Sequence, residues 1–223
     1  MSTRTGVALN VVMLGPPGAG KGTQAERLAR RHGLPKISTG DILREAVQAG
    51  TALGCVAKAT MEAGNLVGDD VMIGIVQERL DREDARRGFV LDGFPRTVVQ
   101  ASALDPMLES RGPLVVLEIV VPLDELVRRL ASRRICSRCG ADAPVESATA
   151  CEKCGGTLVT RADDGVAIVR ERLKVYQRQT KPLVDYYSSR PTFRRIDGHQ
   201  PPNVVASEVD AAIAAATSGS PTR

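Results

Sequence analysis

Residues 15–23 read Gly-Pro-Pro-Gly-Ala-Gly-Lys-Gly-Thr and separate two segments of different character. The apolar run 7–14 before them predicts a buried strand, and residues 21–31 have the composition of a helix. Backbone N–H groups and the positive end of a helix dipole bind phosphate where a glycine loop joins a strand to a helix. The stretch therefore predicts a phosphate-binding loop from which Lys21 reaches the β- and γ-phosphates of a nucleotide.

The residue after the lysine departs from the usual phosphate-loop pattern. A hydroxyl normally follows the lysine directly, whereas here Gly22 follows it and Thr23 comes one place later. We therefore expect Mg²⁺ to be held through water rather than by a direct bond to Thr23. Asp92 ends an apolar run and offers a carboxylate to hydrated Mg²⁺; the alternative role for this side chain is capping of a helix or turn.

Further apolar runs, each bounded by turn residues, predict strands at 89–91, 114–121 and 193–196. Helical stretches are predicted at 41–49, 69–82, 97–109, 123–133, 166–187 and 203–216. The helix 166–187 is expected to bend near Pro182, whose ring removes a backbone N–H. Strands that alternate with helices indicate an α/β fold with a parallel sheet covered on both faces.

Two segments interrupt this alternation and are predicted to lie outside the sheet. Residues 38–67 form the first insertion, and residues 132–164, which contain four cysteines, form the lid segment. The core is then assigned to residues 1–37, 68–131 and 165–223.

The overall composition is that of an ordinary globular chain, 43% hydrophobic and 25% charged. No apolar run approaches the ~20 residues of a membrane span, and residues 1–6 lack the apolar core of a secretion signal. We therefore expect a cytoplasmic protein, with a disordered tail at 217–223. The net charge of +4 comes mainly from arginine, which suits phosphate binding, although genomic base composition also produces arginine-rich chains.

Four of the five cysteines fall in two pairs, Cys136 with Cys139 and Cys151 with Cys154, and each pair is followed by glycine. Four thiolates suit tetrahedral Zn²⁺ and leave no open position, so the pattern predicts a structural zinc site. Two disulfides or reduced thiols are the alternatives. The remaining Cys55 is expected to be a small buried apolar residue.

Motifs along nearly the whole chain resemble those of the adenylate kinase family, in its zinc-binding, long-lid bacterial type. The matching segments, in the family's order, are the loop 15–23, Ser38-Thr39-Gly40-Asp41 with Arg44, Asn65-Leu66-Val67, Gly88 to Thr97 with Gln100, Arg133-Arg134, Arg161-Ala162-Asp163-Asp164 and Arg172. The run Asp-Gly-Phe-Pro-Arg at 92–96 is the most specific of them. One departure is the gap of 11 residues between the cysteine pairs, which is shorter than in zinc-bearing members of the family.

The resemblance implies reversible, Mg²⁺-dependent phosphoryl transfer, ATP + AMP = 2 ADP. Because every group needed for it lies on one chain, we expect a monomer, with no nucleic-acid or membrane partner. The first insertion would be mobile and bind AMP, and the lid segment would close over ATP. The implied ATP-binding residues are Gly18, Ala19, Gly20, Lys21, Gly22, Thr23, Arg129, Arg133 and Gln200. The implied AMP-binding residues are Thr39, Arg44, Asn65, Leu66, Val67, Gly93, Phe94, Pro95, Arg96, Gln100, Arg161 and Arg172. The implied catalytic residues are Lys21, Arg96, Arg133, Arg161 and Arg172.

The chemistry of these side chains agrees with the implied roles. Arg44 and Arg96 can each bind a phosphate through two N–H groups, and the amide of Gln100 can bind an adenine edge. By the resemblance, Arg129 packs on the adenine of ATP and Gln200 acts through its main chain. A solvated surface position is the alternative for each arginine.

Phosphoryl transfer needs alignment and positive charge rather than a general base. We therefore do not expect Asp163 and Asp164 to act as a general acid and base. By the resemblance they orient neighbouring arginines and the lid, with a solvated loop as the alternative.

Two other functions fit parts of the sequence. A kinase for GMP, UMP or CMP would share the chemistry, and a zinc-ribbon NTPase that acts on nucleic acid would fit the cysteines and the positive charge. Aromatic residues make up only 3% of the chain, so surfaces for base stacking are few, and the segment 92–96 would have no role in such an NTPase. A purely structural zinc protein would leave the phosphate loop unexplained.

Overall fold

The computed structural model describes residues 8–143 and 149–218. The prediction for residues 1–6 and the part of the predicted tail at 219–223 lie outside the described residues. For residues 217 and 218 the predicted tail is wrong, because the last helix extends through them. The strands are β1 (Leu9–Leu14), β2 (Lys36–Ser38), β3 (Gly88–Asp92), β4 (Leu114–Val120), β5 (Arg134–Cys136), β6 (Leu158–Thr160) and β7 (Phe193–Asp197). The helices are α1 (Lys21–His32), α2 (Thr39–Gln48), α3 (Ala52–Glu62), α4 (Asp69–Leu80), α5 (Val98–Leu108), α6 (Leu123–Ser132), α7 (Val166–Val175), α8 (Pro182–Ser188) and α9 (Pro202–Ser218).

Five strands form one parallel sheet in the order β2-β3-β1-β4-β7. The central strand β1 pairs on both sides, since Val12 lies opposite Leu91 of β3 and Val116 of β4. The predicted α/β fold is therefore confirmed. After β1 the chain continues to β2 on one side of β1, and after β3 it continues to β4 on the other side. In such sheets, ligands bind in the crevice that this change of direction leaves at the carboxyl end of β1.

The sheet is covered on both faces, because alternate side chains of β1 enter two different apolar clusters. Val12 packs with Leu104 and Leu183 on one face, and Val11 packs with Leu28 and Val209 on the other. Each fully buried side chain of this kind contributes roughly 1.5–3 kcal/mol. These two layers fix the carboxyl ends of the strands, where the phosphate loop lies.

The helix predicted at 166–187 is present, and its hydrogen-bond pattern changes near the middle. A π-helical turn, Tyr176–Thr180, separates α7 from α8, and the N–H of Lys181 donates to the carbonyl of Tyr176 over 2.8 Å. Pro182 then begins α8, in the first-turn position where its missing N–H costs least. Lys181, the residue before this proline, keeps right-handed helical angles (φ −57°, ψ −35°), so the helical path continues from the π-helical turn into α8.

The two predicted insertions have their own secondary structure. The first insertion contains α2 and α3, and in the lid segment β5 and β6 form an antiparallel pair in which Ile135 lies opposite Val159. The prediction for Cys55 was wrong: it is exposed, because α3 packs through Gly54 and Ala57 and turns Cys55 outward. Within residues 8–143 and 149–218, no helix is both long and apolar enough to cross a membrane.

Candidate active site

The phosphate loop runs from the end of β1 to the start of α1. Gly15, Gly18 and Gly20 have φ values of 141°, 84° and 88°, which residues other than glycine rarely adopt. A Cβ at Gly15 would lie 2.6 Å from the carbonyl oxygen of Ile119, so the loop needs glycine there for space as well. In the described structure no side chain caps the start of α1, so the first-turn N–H groups face the loop without a capping oxygen. This is the arrangement that binds anions at a helix N-terminus.

Lys21 is the first residue of α1, and its ammonium group donates to the carbonyl of Pro16 over 2.9 Å. Loss of hydration lowers the pKa of Lys21 to about 8. The charge of Asp92 opposes this shift, while Arg96 and Arg172 reinforce it. Cations from separate elements therefore lie close enough to repel one another, and an anion placed among them would relieve that repulsion.

Two carboxylates face the first turn of α1 across Gly22. Measured from the position that a Cβ of Gly22 would take, Oδ2 of Asp92 lies at 3.3 Å and Oδ2 of Asp142 at 4.0 Å. Asp92 was predicted and ends β3, whereas Asp142 belongs to the lid segment and was not predicted. Carboxylate oxygens are suitable hard ligands for Mg²⁺ or for its bound water. The position of Asp142 also shows that the lid segment lies over the phosphate loop.

The segment after β3 gathers polar groups around one carbonyl. The hydroxyl of Thr39 and Nε of Arg96 each donate to the carbonyl of Gly93 over 2.8 Å. Gly93 has a φ of 82°, and a Cβ there would lie 2.9 Å from Thr39 Oγ1 and from Arg96 Nη2. The adjoining Phe94 and Pro95 are buried. Desolvation lowers the pKa of Arg96, and the positive charges of Arg44 and Arg161 act in the same direction.

Arg44 lies on α2 and forms an ion pair with Asp41 one helical turn earlier. Lys36 also approaches Asp41, at 3.6 Å. Burial acts to raise the pKa of Asp41, but the two cations outweigh it, so the net pKa is lowered. The carboxylate of Asp41 is thus the partner of Arg44, whose guanidinium is predicted to bind the AMP phosphate.

Gln100 is 1% exposed, and both ends of its amide are bonded. Oε1 accepts from the backbone N–H of Arg96 over 2.7 Å, and Nε2 donates to Oδ1 of Asp69 over 2.8 Å. Asp69 was not predicted as a site residue, because in sequence it is an ordinary acidic residue at the start of a helix.

The segment 65–67, which is predicted to hold AMP through its backbone, follows the end of α3. Asn65 is exposed, Leu66 is half-buried and Val67 is buried in the core. A Cβ on the preceding Gly64 would lie 3.3 Å from Cγ of Arg172. The first insertion and α7 therefore meet beside this segment.

The arginines at the edges of the lid segment are held by two aspartates. Arg133 makes two hydrogen bonds to Asp164, of 2.8 and 2.6 Å, and Arg172 reaches the same carboxylate at 2.9 Å. Asp163 accepts two bonds from Arg161, of 2.9 and 2.8 Å, and lies 3.2 Å from Arg172. The side chain of Asp164 is 0% exposed. These contacts favour the orienting role over the solvated loop.

Arg129 links α6 to the segment after β7. Its Nε donates to Glu125 over 2.6 Å, and its Nη2 donates to the carbonyl of Gly198 over 3.0 Å. Gln200 lies two residues further on, and its exposed side chain donates to Asp197 over 3.2 Å. The structure thus brings Arg129 close to the backbone predicted to contact the ATP base, while the side chain of Gln200 is directed elsewhere.

The four paired cysteines converge, with all four Sγ atoms within 4.8 Å of one another. The Cys136–Cys154 and Cys139–Cys151 sulfur distances are 3.4 and 3.6 Å, too long for the roughly 2.05 Å of a disulfide. A tetrahedron with Zn–S bonds of about 2.3 Å has sulfur atoms about 3.8 Å apart. The cluster is therefore compatible with the predicted structural metal ion, such as zinc, and the alternative of two disulfides is contradicted, because all four cysteines are free.

Comparison with known proteins agrees with this arrangement. A protein-family model described as adenylate kinase matches residues 13–192. The chain is 49% identical over 210 residues to an adenylate kinase from Archaeoglobus fulgidus, covering 91% of this chain and 97% of that protein. It is 52% identical over 199 residues to one from Moorella thermoacetica, covering 86% and 92%. It is 47% identical over 212 residues to one from Rhizobium etli, covering 91% and 98%. Because the family model spans most of the sequence and these relatives are matched along nearly their whole length, the chain belongs to the adenylate kinase family.

Proposed function

We propose that this chain catalyses the reversible transfer of the γ-phosphoryl group of ATP to AMP, giving two ADP. The family membership supports the reaction. The single observation that carries the proposal is the convergence of cations from core and lid. The positive charges of Arg96, Arg133 and Arg172 act to lower the pKa of Lys21, and the charge of Arg133 acts to lower the pKa of Arg161. Such a cluster is costly without an anion and suits a site for several phosphates.

Each group then has a separate task. The phosphate loop and Lys21 bind the ATP phosphates, and Arg44 with Arg96 binds the phosphate of AMP. The lid arginines Arg133 and Arg161 bring positive charge to the group in transfer. One arginine in such a position contributes roughly 10³–10⁵ in rate. No general base is needed, because alignment and charge stabilisation supply most of the acceleration.

Magnesium fits the site through the chemistry of its donors. The carboxylate of Asp92 beside Gly22 would hold the hydrated ion, and Thr23, whose side chain is exposed, would meet it only through water. When bound with ATP, Mg²⁺ neutralises phosphate charge. The protein's own contribution is to hold Lys21 and the loop N–H groups where they would bind the phosphates.

The metal of the lid segment is proposed to be zinc, with a structural role. Cys136, Cys139, Cys151 and Cys154 would fill its tetrahedral shell and leave no position for substrate. We further propose a cytoplasmic monomer, with ATP, AMP and ADP as its partners. Paired thiols that bind metal need a reducing compartment, and every group assigned to the reaction lies on one chain.

The test is a coupled assay of purified protein with Mg-ATP and, separately, AMP, GMP, CMP, UMP and dTMP. We expect rapid ADP formation with AMP and little with the other four. Turnover with a different base would keep the mechanism and overturn the assignment of AMP. Absence of turnover with all five monophosphates would overturn the proposed function and favour the NTPase that acts on nucleic acid.

A further inference from the structure

One carboxylate outside the predicted site controls the orientation of the side chain that is proposed to read the base. The amide of Gln100 has two ends of nearly the same shape and opposite chemistry, since its oxygen accepts and its nitrogen donates. Which end faces which neighbour is therefore decided by the hydrogen-bond partners and not by packing.

The two orientations suit different purines. A 6-aminopurine presents an amino donor beside a ring-nitrogen acceptor, whereas a 6-oxopurine presents a carbonyl acceptor beside an N–H donor. An amide that matches the first edge in one orientation matches the second edge after a half-turn about its terminal bond. A glutamine that is free to turn would thus accept both bases, and a fixed glutamine would accept one.

Two partners hold Gln100 in the same orientation. The backbone N–H of Arg96 can only donate, and it meets Oε1 at 2.7 Å. The ionised carboxylate of Asp69 can only accept, and it meets Nε2 at 2.8 Å. A half-turn would place oxygen against carboxylate and N–H against N–H. One donor and one acceptor position of the amide are left over from these two bonds.

Asp69 is itself held in place. The hydroxyl of Thr97 donates to the same Oδ1 over 3.0 Å, and Thr97 also caps α5, the helix that carries Gln100. Asp69 is the first residue of α4, so the bond joins the starts of two helices that are distant in sequence. The residue Gln100 is 1% exposed, so its two hydrogen bonds are shielded from competing water.

We propose that Asp69 is a positioning residue for base selection, which holds Gln100 in the orientation that matches AMP and mismatches 6-oxopurine monophosphates. This inference rests on the proposed function, because it needs Gln100 to contact the base. Asp69 touches neither phosphate nor base in this scheme and acts only through Gln100.

The test is Asp69→Asn, which keeps the shape but replaces an acceptor-only group by an amide that can either accept or donate. The matched control is Asp70→Asn on the neighbouring, exposed residue of the same helix. We would measure kcat/KM for AMP and for IMP, and the dissociation constants of both by calorimetry without ATP. In Asp69→Asn the preference for AMP over IMP should fall roughly 10-fold or more, in line with the contribution of one charge-assisted hydrogen bond. In Asp70→Asn it should not change.

A purely structural role predicts a different result. If Asp69 only stabilised the helix starts, Asp69→Asn would weaken AMP and IMP equally and leave their ratio as in the unchanged protein, and this outcome would overturn the inference. A second variant, Gln100→Leu, removes the side chain on which Asp69 acts. Adding Asp69→Asn to Gln100→Leu should leave the ratio unchanged, and a further change would contradict the inference. Failure of the proposed function would be recognised separately, as absence of AMP turnover in the unchanged protein.

Discussion

Replacing Asp164 is expected to lower the free energy of unfolding, because this carboxylate holds Arg133 of the lid segment and Arg172 of α7. It accepts three hydrogen bonds from Arg133 and Arg172, and its side chain is 0% exposed. Asp164→Ala would leave two guanidinium groups without their shared partner. Removing one member of a buried ion pair costs roughly 3–5 kcal/mol. Because the arginine side chains are still 22% and 18% exposed, we expect the lower end of that range, about 3 kcal/mol.

The assay is thermal unfolding of the nucleotide-free protein, with hydrogen exchange of the β5 and β6 amides to detect opening confined to the lid. For a chain of this size, 1 kcal/mol shifts Tm by roughly 2–4 °C, so the expected loss is about 6–12 °C. Activity should fall as well, since misplacing a catalytic group by about 1 Å can cost roughly 100-fold in kcat.

The matched control is Glu171→Gln on α7. Glu171 also pairs with two cations, Lys174 at 3.6 Å and Arg178 at 3.2 Å, but its side chain is 34% exposed. Exposed pairs contribute about 0–1 kcal/mol, so this variant should shift Tm by no more than about 4 °C. If Asp164→Ala changed Tm and amide exchange no more than Glu171→Gln does, the argument from burial would be refuted.

Three further predictions test separate parts of the site. ATP binding at pH 9 should take up a proton, because the pKa of Lys21 is lowered to about 8 and nearby phosphates would raise it; affinity should therefore fall as pH rises above 8. Calorimetry in buffers of different ionisation enthalpy measures this uptake, and Lys21→Met should abolish it; the same heat in all buffers would contradict the prediction. Removal of the lid metal by a chelator should lower Tm, because a segment without its own apolar core is stabilised by the metal. An unchanged melting curve, with metal loss verified by elemental analysis, would rule out the structural role. Arg96→Ala should reduce kcat at least roughly 10³-fold with an unchanged circular dichroism spectrum, and near-normal turnover would remove Arg96 from the site.

The sequence was sufficient for the parts of the fold that depend on long apolar runs. The strands β1, β3 and β4 are buried on both faces, so their hydrophobic runs are continuous and easily recognised. The strand β2 has only three residues and was missed, because so short a segment carries no periodicity. The pair β5–β6 was missed for the same reason, since each strand has three residues.

The site was predictable where function requires an unusual local pattern and not where it depends on distant contacts. The glycine spacing around Lys21 and the paired cysteines are local patterns. Asp69 meets Gln100 across 31 residues, and Asp142 meets Gly22 only when the lid segment is folded over the loop. Cys55 was predicted to be buried because cysteine usually is, but α3 packs through its other face and leaves Cys55 exposed.

The pairing of β5 with β6 has a consequence for how the family can vary. Both ends of the lid segment meet at this pair, and Arg133 at one end is bonded to Asp164 at the other. The chain between them therefore leaves and returns at nearly the same point, so its contour length places no demand on the parallel sheet. Doubling the length of such a closed loop costs only about 0.6 kcal/mol in closure entropy. The gap of 11 residues between the cysteine pairs could thus be lengthened or shortened without redesigning the core.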